Sequence, residues 1–463
     1  MKIYNSLGRK IEDFKSINPL SVGMYTCGPT VYDFATIGNF RTYTLADLLY
    51  RTLLQNHYDV KYVMNITDVG HLTGDNLGDS SQGEDRLEKA SKKEGKDAWE
   101  IAKFYTDIFL KDFKKLNLLQ PKKFVKATEH IKEQIDLIKI LEKRGYTYKT
   151  KDGLYFDTGE YPDYGKLSTL DEIKEGARVE VNPEKKNPKD FALWKLSQGQ
   201  KRQMEWKSPW GIGFPGWHIE CSAMSMKYLG STFDIHVGGE DLRSTHHPNE
   251  IAQSEAATSK KFVNYWVHCT FLLVNGGKMG KSLGNAYTIS DIEKKGFDAL
   301  ALKYFYFSAH YRTNQNFTWE ALNAAQKSVN NLKNQFLRLI DNTYDIEESF
   351  ENNFTKKFLN SLNNDLNISE GLGLMWDYIK SNDSSKSKIN SLLKIDGILG
   401  FNLLSLLKTE IINNPEITKL IKIRDEARAN NNWKIADEIK LIIESKGFIV
   451  EDSKYRTKIY PKV

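Results

Sequence analysis

An apolar strand, a tight turn, a long one-sided helix and a second apolar strand follow one another within residues 20–66, and few folds accommodate that order. Ser21-Val-Gly-Met-Tyr-Thr-Cys27 reads as the first strand and breaks at Gly28-Pro29. Leu45, Leu48, Leu49 and Leu53 then recur at the three-to-four-residue interval of a helix with one apolar face. Val60–Ile66 is apolar enough for a buried strand. Two strands joined through a helix lie parallel, so the segment predicts an α/β fold built on a doubly wound, Rossmann-like parallel sheet of the nucleotide-binding kind.

The chain of 463 residues is too long for one such core, at about 150 residues per domain. Helical patterns cover about 98–118 and 128–144, and short strand-like runs fill 145–215, the mark of an inserted module. Alternation resumes at Phe233–His236, Glu250–Thr258 and Trp266–Val274. From 317 the pattern is helical as far as Gly447, after which Phe448-Ile-Val and Thr457-Lys-Ile-Tyr suit short strands. The expected division is a catalytic domain in two halves, 1–118 and 214–275, around an inserted module at 119–213. A connecting region at 276–316, a helical domain at 317–416 and a small C-terminal domain at 417–463 follow.

No run of about 18 apolar residues exists, so no membrane span is expected. Three cysteines exclude a disulfide scaffold and fit a reducing, cytoplasmic setting. The net charge of +6 is mild, but residues 417–463 hold 11 basic and 7 acidic side chains, and so +4 of it. With Trp433, Phe448, Tyr455 and Tyr460 interleaved, that tail suits RNA phosphates and bases, or is simply a solvated helix and strand.

Three constellations carry chemistry. In Tyr25-Thr-Cys-Gly-Pro-Thr-Val-Tyr-Asp-Phe-Ala-Thr-Ile-Gly-Asn-Phe-Arg41, Gly38 at a helix start permits close approach of a phosphate, and Asn39 offers a donor. Plain helix capping accounts for the same residues. In Asn275-Gly-Gly-Lys-Met-Gly-Lys-Ser-Leu-Gly-Asn285, glycines around Lys278 and Lys281 make a loop able to close on a polyphosphate and neutralise a leaving pyrophosphate. An exposed basic turn is the simpler account. The third set is Cys27, Cys221 in Gly216-Trp-His-Ile-Glu-Cys, and His246 and Glu250, which lie four apart on one helical face. Two thiolates, an imidazole and a carboxylate would complete a four-ligand Zn2+ site, whereas buried core cysteines are the alternative. Cys269 reads as core.

The turn Thr36-Ile-Gly-Asn39 resembles the His-Ile-Gly-His signature of class I aminoacyl-tRNA synthetases, and Lys278-Met-Gly-Lys-Ser282 resembles their Lys-Met-Ser-Lys-Ser loop. Tyr25–Asp33, Gly216–Met224 and His246–Ala256, together with Tyr164–Ser168 and Phe191–Lys195, are similar to the cysteinyl-tRNA synthetase family in particular. The likeness runs from Ile3 to about Phe317 and returns at Arg424–Pro461. It implies activation of L-cysteine by ATP with Mg2+, then transfer to the 3′ end of tRNA(Cys), by a monomer. It implies one zinc per chain on Cys27, Cys221, His246 and Glu250, binding the substrate thiolate directly. Thr36, Asn39, Lys278 and Lys281 would act on the phosphates, and Gly38, Gly238, Gly239 and Asp241 would adjoin the nucleotide. Thr67, Trp217 and His218 would surround the cysteine. The helical domain would bind tRNA and the basic tail would read its anticodon.

The chain departs from the family pattern where Thr36 and Asn39 replace histidines, where Gly280 replaces serine, and at Asp68-Val-Gly-His71, which an acidic loop at 73–85 follows. Two other functions share some of these features. One is a ligase of the same fold joining cysteine to an amino sugar. The other is a non-catalytic RNA-binding paralogue that retains zinc.

Overall fold

The computed structural model describes residues 1–69, 85–168, 183–197, 199, 202–340, 347, 350–408, 415–452 and 457–461. His71 and all but Asp85 of the acidic loop lie outside these.

Five parallel strands form the central sheet, in the spatial order Val263–Cys269, Phe233–Gly239, Ser21–Thr26, Asp59–Ile66, Lys123–Lys126. Numbered along the chain, that order is doubly wound, as the 20–66 segment predicts. Its strand order reverses between Ser21–Thr26 and Phe233–Gly239, and the crevice at the carboxyl ends of those two strands is where such sheets take ligands. Lys123–Lys126, inside the segment expected as an inserted module, is one of the five strands. Gly28 is dictated by the packing here, since a Cβ would collide with the Asn65 carbonyl of the neighbouring strand.

Helix Ile37–Gln55 crosses the sheet on the face filled by Leu45, Leu48, Leu49 and Leu53, all buried. After helix Ile131–Lys143, a second, antiparallel sheet runs in the order Thr147–Thr150, Gly153–Phe156, Phe191–Leu196, Gly211–Pro215, Trp206–Ser208. The chain then returns to the parallel sheet through helix Trp217–Leu229. Helices Trp319–Leu339, Asn353–Asn363, Ile368–Lys380 and Ser385–Leu399 bury Phe336, Phe358, Met375 and Leu392. At the C-terminal end, helices Pro415–Ala429 and Trp433–Ser445 pack together around Ile417, Ala427, Ala436 and Ile443, followed by the hairpin Phe448–Asp452 with Thr457–Pro461. Among the described residues, no helix is long and apolar enough to cross a membrane.

A buried charge cluster joins the parallel-sheet region to the helices after it. Asp47 on helix Ile37–Gln55 pairs with Arg51 Nε at 2.9 Å and with Lys303 Nζ at 3.0 Å, and accepts from the Leu119 N–H. Arg51 also donates to the Gly397 and Asn117 carbonyls. Burial lowers the Lys303 ammonium to about 8 although Asp47 holds it up. Removing the shared anion leaves two cations in the interior, so Asp47→Asn is expected to cost about 3–5 kcal/mol. Urea denaturation followed by circular dichroism reads this directly; a loss below about 1 kcal/mol would mean that the cluster is solvated.

Candidate active site and metal centre

The four ligands expected for the metal come from three elements at the sheet's switch point. Cys27 directly follows strand Ser21–Thr26, Cys221 lies on helix Trp217–Leu229, and His246 and Glu250 share helix His246–Thr258. The ligand atoms of all four lie within 4.8 Å of one another, and all four side chains are buried. The Cys27 and Cys221 sulfurs stand 3.9 Å apart, and His246 Nε2 is 3.1 Å from Glu250 Oε1.

The protonation pattern suits a cation. Burial raises the Cys221 thiol, yet a hydrogen bond from Cys27 and the His246 charge outweigh it and bring the thiol to about 6. Burial opposes charge on Glu250 as well, but His236 and His246 draw its carboxyl down to about 2. Burial likewise disfavours the His246 imidazolium, which Glu250 and Cys221 hold up to about 10. Cys27 is pushed well up by burial and by the Cys221 and Glu250 charges. One thiolate, one carboxylate and two exchangeable protons are therefore packed in a dry site, and a bound metal would displace those protons. Cys269 lacks such neighbours, and burial pushes its thiol to about 11.

Behind the ligands lies a histidine cluster that the sequence reading did not assign. His236 Nε2 is 3.0 Å from Glu250 Oε2, and His247 Nε2 is 3.5 Å from Cys27 Sγ. With Cys27 and Glu250, these two imidazoles form an alternative group of four possible ligands. His247 is tied in turn to His268 at 2.7 Å, and His268 to Ser6 Oγ at 2.8 Å. That second engagement orients His247 as an outer partner of Cys27, while His236 braces the second oxygen of Glu250. His218 Nδ1 lies 2.9 Å from His246 Nδ1, and Trp217 packs its ring 4.2 Å from the His246 ring. The Tyr164 hydroxyl donates to Asn249, beside Glu250.

Above this floor opens a cavity of about 600 Å3, within the usual range for a small-molecule site. Its lining includes Cys27, Trp217, Asn39, Gly239, Asp241 and Lys281. Thr36 caps helix Ile37–Gln55: its hydroxyl donates to Asn39 Oδ1 at 2.9 Å and accepts from the Asn39 N–H. That reciprocal cap is the plain reading of these residues, and Asn39 lines the cavity at a helix end that favours anions. Gly38 faces the loop, for a Cβ there would meet the Met279 sulfur at 3.3 Å. Gly238 makes room for the His247 ring. Thr67 is buried behind the lining, accepting from Asn65 Nδ2 at 3.1 Å. Lys278 sits on the exposed strand Gly277–Lys278 outside the lining, whereas Lys281 reaches the cavity mouth. Arg86, outside every motif, and Tyr32, inside the first motif but given no role there, line it too.

A crevice at a doubly wound switch point, with clustered metal-ligand candidates at its floor and a glycine–lysine loop at its mouth, defines the class I aminoacyl-tRNA synthetase arrangement. Residues 13–327 match the family described as the tRNA synthetases class I (C) catalytic domain. The cysteine–tRNA ligase 1 of Burkholderia lata is 44% identical over 457 residues, spanning 98% of this chain and 95% of the relative. The cysteine–tRNA ligase of Treponema denticola is 42% identical, with 99% of each covered. Among solved structures, Mycobacterium tuberculosis methionyl-tRNA synthetase in complex with methionyl-adenylate superposes with a TM-score of 0.58 at 13% identity, covering 84% of this chain and 94% of that one. It shares the fold. The chain belongs to the cysteine–tRNA ligase family of class I synthetases.

Proposed function

We propose that this protein activates L-cysteine with Mg-ATP and transfers it to the 3′ end of tRNA(Cys), as a cytoplasmic monomer. The observation that carries this reading is the cluster of two thiols, an imidazole and a carboxylate at the floor of a cavity whose rim bears Asn39 and Lys281.

That donor set fits Zn2+, which favours thiolate and imidazole, at the floor of a cavity from which a further ligand can reach it. Bound there, zinc would ligate the substrate thiolate and leave a serine hydroxyl, protonated at neutral pH, a poor competitor. Cys27, Cys221, His246 and Glu250 would hold the ion, and His236 and His247 would orient two of them. Trp217 and His218 would shape the amino-acid side of the pocket, with Thr67 behind it. The cysteine carboxylate attacks the α-phosphate of ATP, and the bond to the β-phosphate breaks. Asn39, Lys278 and Lys281 stabilise the charge on the phosphates, Thr36 fixes the helix end that presents Asn39, and Gly239 and Asp241 adjoin the nucleotide. Positioning and charge stabilisation suffice; no covalent protein intermediate is required.

The two named relatives match over 98–99% of this chain, its basic tail included, and both are cysteine–tRNA ligases, which favours tRNA over an amino sugar as the acceptor. We assign the helical region 317–416 to tRNA binding and 417–463 to the anticodon end. The test is paired: cysteine-dependent exchange of pyrophosphate into ATP, then charging of tRNA(Cys). Both activities are expected. Exchange without charging would favour the amino-sugar ligase, and neither would favour a binding paralogue.

Within the tail, Trp433 is 57% exposed beside Lys434, the pairing of a stacking face with a phosphate contact. Trp433→Ala should raise the KM for tRNA by about tenfold, the loss of one stacked base, and leave exchange unchanged. Charging kinetics at varied tRNA concentration would show it. An unchanged KM would place recognition elsewhere.

A further inference from the structure

Lys281 does not hang free over the cavity. Its Nζ lies 2.7 Å from Asp33 Oδ2 and 4.8 Å from the centre of the Tyr32 ring. Both partners belong to the loop that leaves the first strand of the sheet, so the contact spans 248 residues and ties the glycine–lysine loop to the sheet's switch point. The cradle is itself braced. The other oxygen of Asp33, Oδ1, accepts from the Phe34 N–H at 2.7 Å, which turns Oδ2 toward the lysine. The Tyr32 hydroxyl accepts from Arg86 Nη1 at 2.5 Å, and the Arg86 guanidinium lies 5.1 Å from the same ring. Tyr32, Arg86, Lys281 and Ser282 all line the cavity.

Stability does not explain this construction. Asp33 and Lys281 are 38% and 46% exposed, and an ion pair so wet contributes about 0–1 kcal/mol at most. What the contact changes is where one charge stands. A lysine on a glycine-rich loop has several rotatable bonds to order before it can meet a phosphate, and a carboxylate on one side with an aromatic face beneath removes much of that freedom beforehand. An ammonium has three N–H donors, so holding Asp33 with one does not preclude donating to a phosphate with another.

Building on the synthetase reading above, we propose that Asp33, assisted by Tyr32, is a positioning residue for Lys281 during departure of pyrophosphate. In that step the bond between the cysteine carboxylate and the α-phosphorus forms, and the bond from that phosphorus to the bridging oxygen breaks. The electron pair leaves with pyrophosphate, and the Lys281 ammonium meets the growing charge. Asp33 gives and takes no proton; it keeps the ammonium at the mouth of the site.

The test is a double-mutant cycle on cysteine-dependent pyrophosphate exchange in the full-length protein. Asp33→Asn should lower kcat about tenfold, well inside the loss that misplacing one catalytic group produces, with the KM for cysteine unchanged. Asp33→Glu should recover part of that loss. Combined with Lys281→Ala, Asp33→Asn should add nothing further, because both act through one ammonium. An unchanged kcat with a lowered KM for ATP would overturn the inference, showing a resting restraint that ATP must displace. A fully additive loss in the double variant would overturn it too. Should Lys281→Ala lower exchange while Asp33→Asn leaves kcat unchanged, the synthetase reading stands and this inference falls. Absence of exchange in the unmodified protein would instead sink the synthetase reading.

Discussion

Cys221→Ser should purify without its metal and without cysteine-dependent exchange. The substitution keeps the shape of a side chain that is almost wholly buried, so the helix Trp217–Leu229 and its packing should survive. What disappears is the one thiol in the chain that its surroundings already bring to about 6. A hydroxyl there stays protonated and is a weak ligand for a thiophilic ion. Loss of an outer partner of a metal ligand costs 10–100-fold in affinity, so loss of the ligand itself should exceed about 10²-fold. Elemental analysis after dialysis measures this, with circular dichroism as the check on folding. Cys269→Ser is the control, since that thiol lies in the core at the end of strand Val263–Cys269 and holds no place in the cluster. Full metal content in Cys221→Ser would remove the assigned quartet and turn attention to Cys27, His236, His247 and Glu250.

Lys281→Ala should lower the rate of adenylate formation about 10²-fold or more while leaving cysteine binding nearly intact. The expected size is that of removing one preorganised donor from a site of developing negative charge. The proposed cysteine pocket is the cavity floor around Cys27 and Trp217, whereas Lys281 stands at the mouth against Asp33, so the two effects separate in space. Single-turnover exchange rates would carry the loss, and a cysteine titration would show an unmoved KM. Loss confined to the cysteine KM would contradict the assignment.

The parallel sheet was legible because its first two strands are largely apolar and the helix between them repeats leucine on one face. The strand Lys123-Phe-Val-Lys126 was not, for four residues with a lysine at each end carry little pattern, and only pairing with Asp59–Ile66 makes them a strand. The metal ligands show the other limit. Cys27 and Cys221 are 194 residues apart, and spacing alone gives no reason to join them. Resemblance to a family supplied the pairing, and the doubly wound topology supplies the physical cause, bringing the end of one strand against a helix of the second half. The histidines behind them were visible as residues and silent as a cluster. His236 and His268 sit on different strands, and their meeting with His247 depends on a glycine, Gly238, whose missing side chain leaves space for the ring. Thr36 and Asn39 cap the helix whose first turn, through Asn39, lines the cavity, so capping and the proposed phosphate role fall on the same residues.

A metal held by Cys27, Cys221, His246 and Glu250 is proposed to select a thiolate substrate for activation. The direct measurement is pyrophosphate exchange with L-cysteine and with L-serine, on protein as purified, after chelation, and after Zn2+ is restored. A site selecting by coordination should favour cysteine by about 10⁴ or more, as sites do when the wrong substrate cannot make the required bond. Chelation should abolish the cysteine signal, and Zn2+ should return it. Exchange that persists in metal-free protein, or serine activated within about tenfold of cysteine, the margin a size-matched pocket alone provides, would contradict the account.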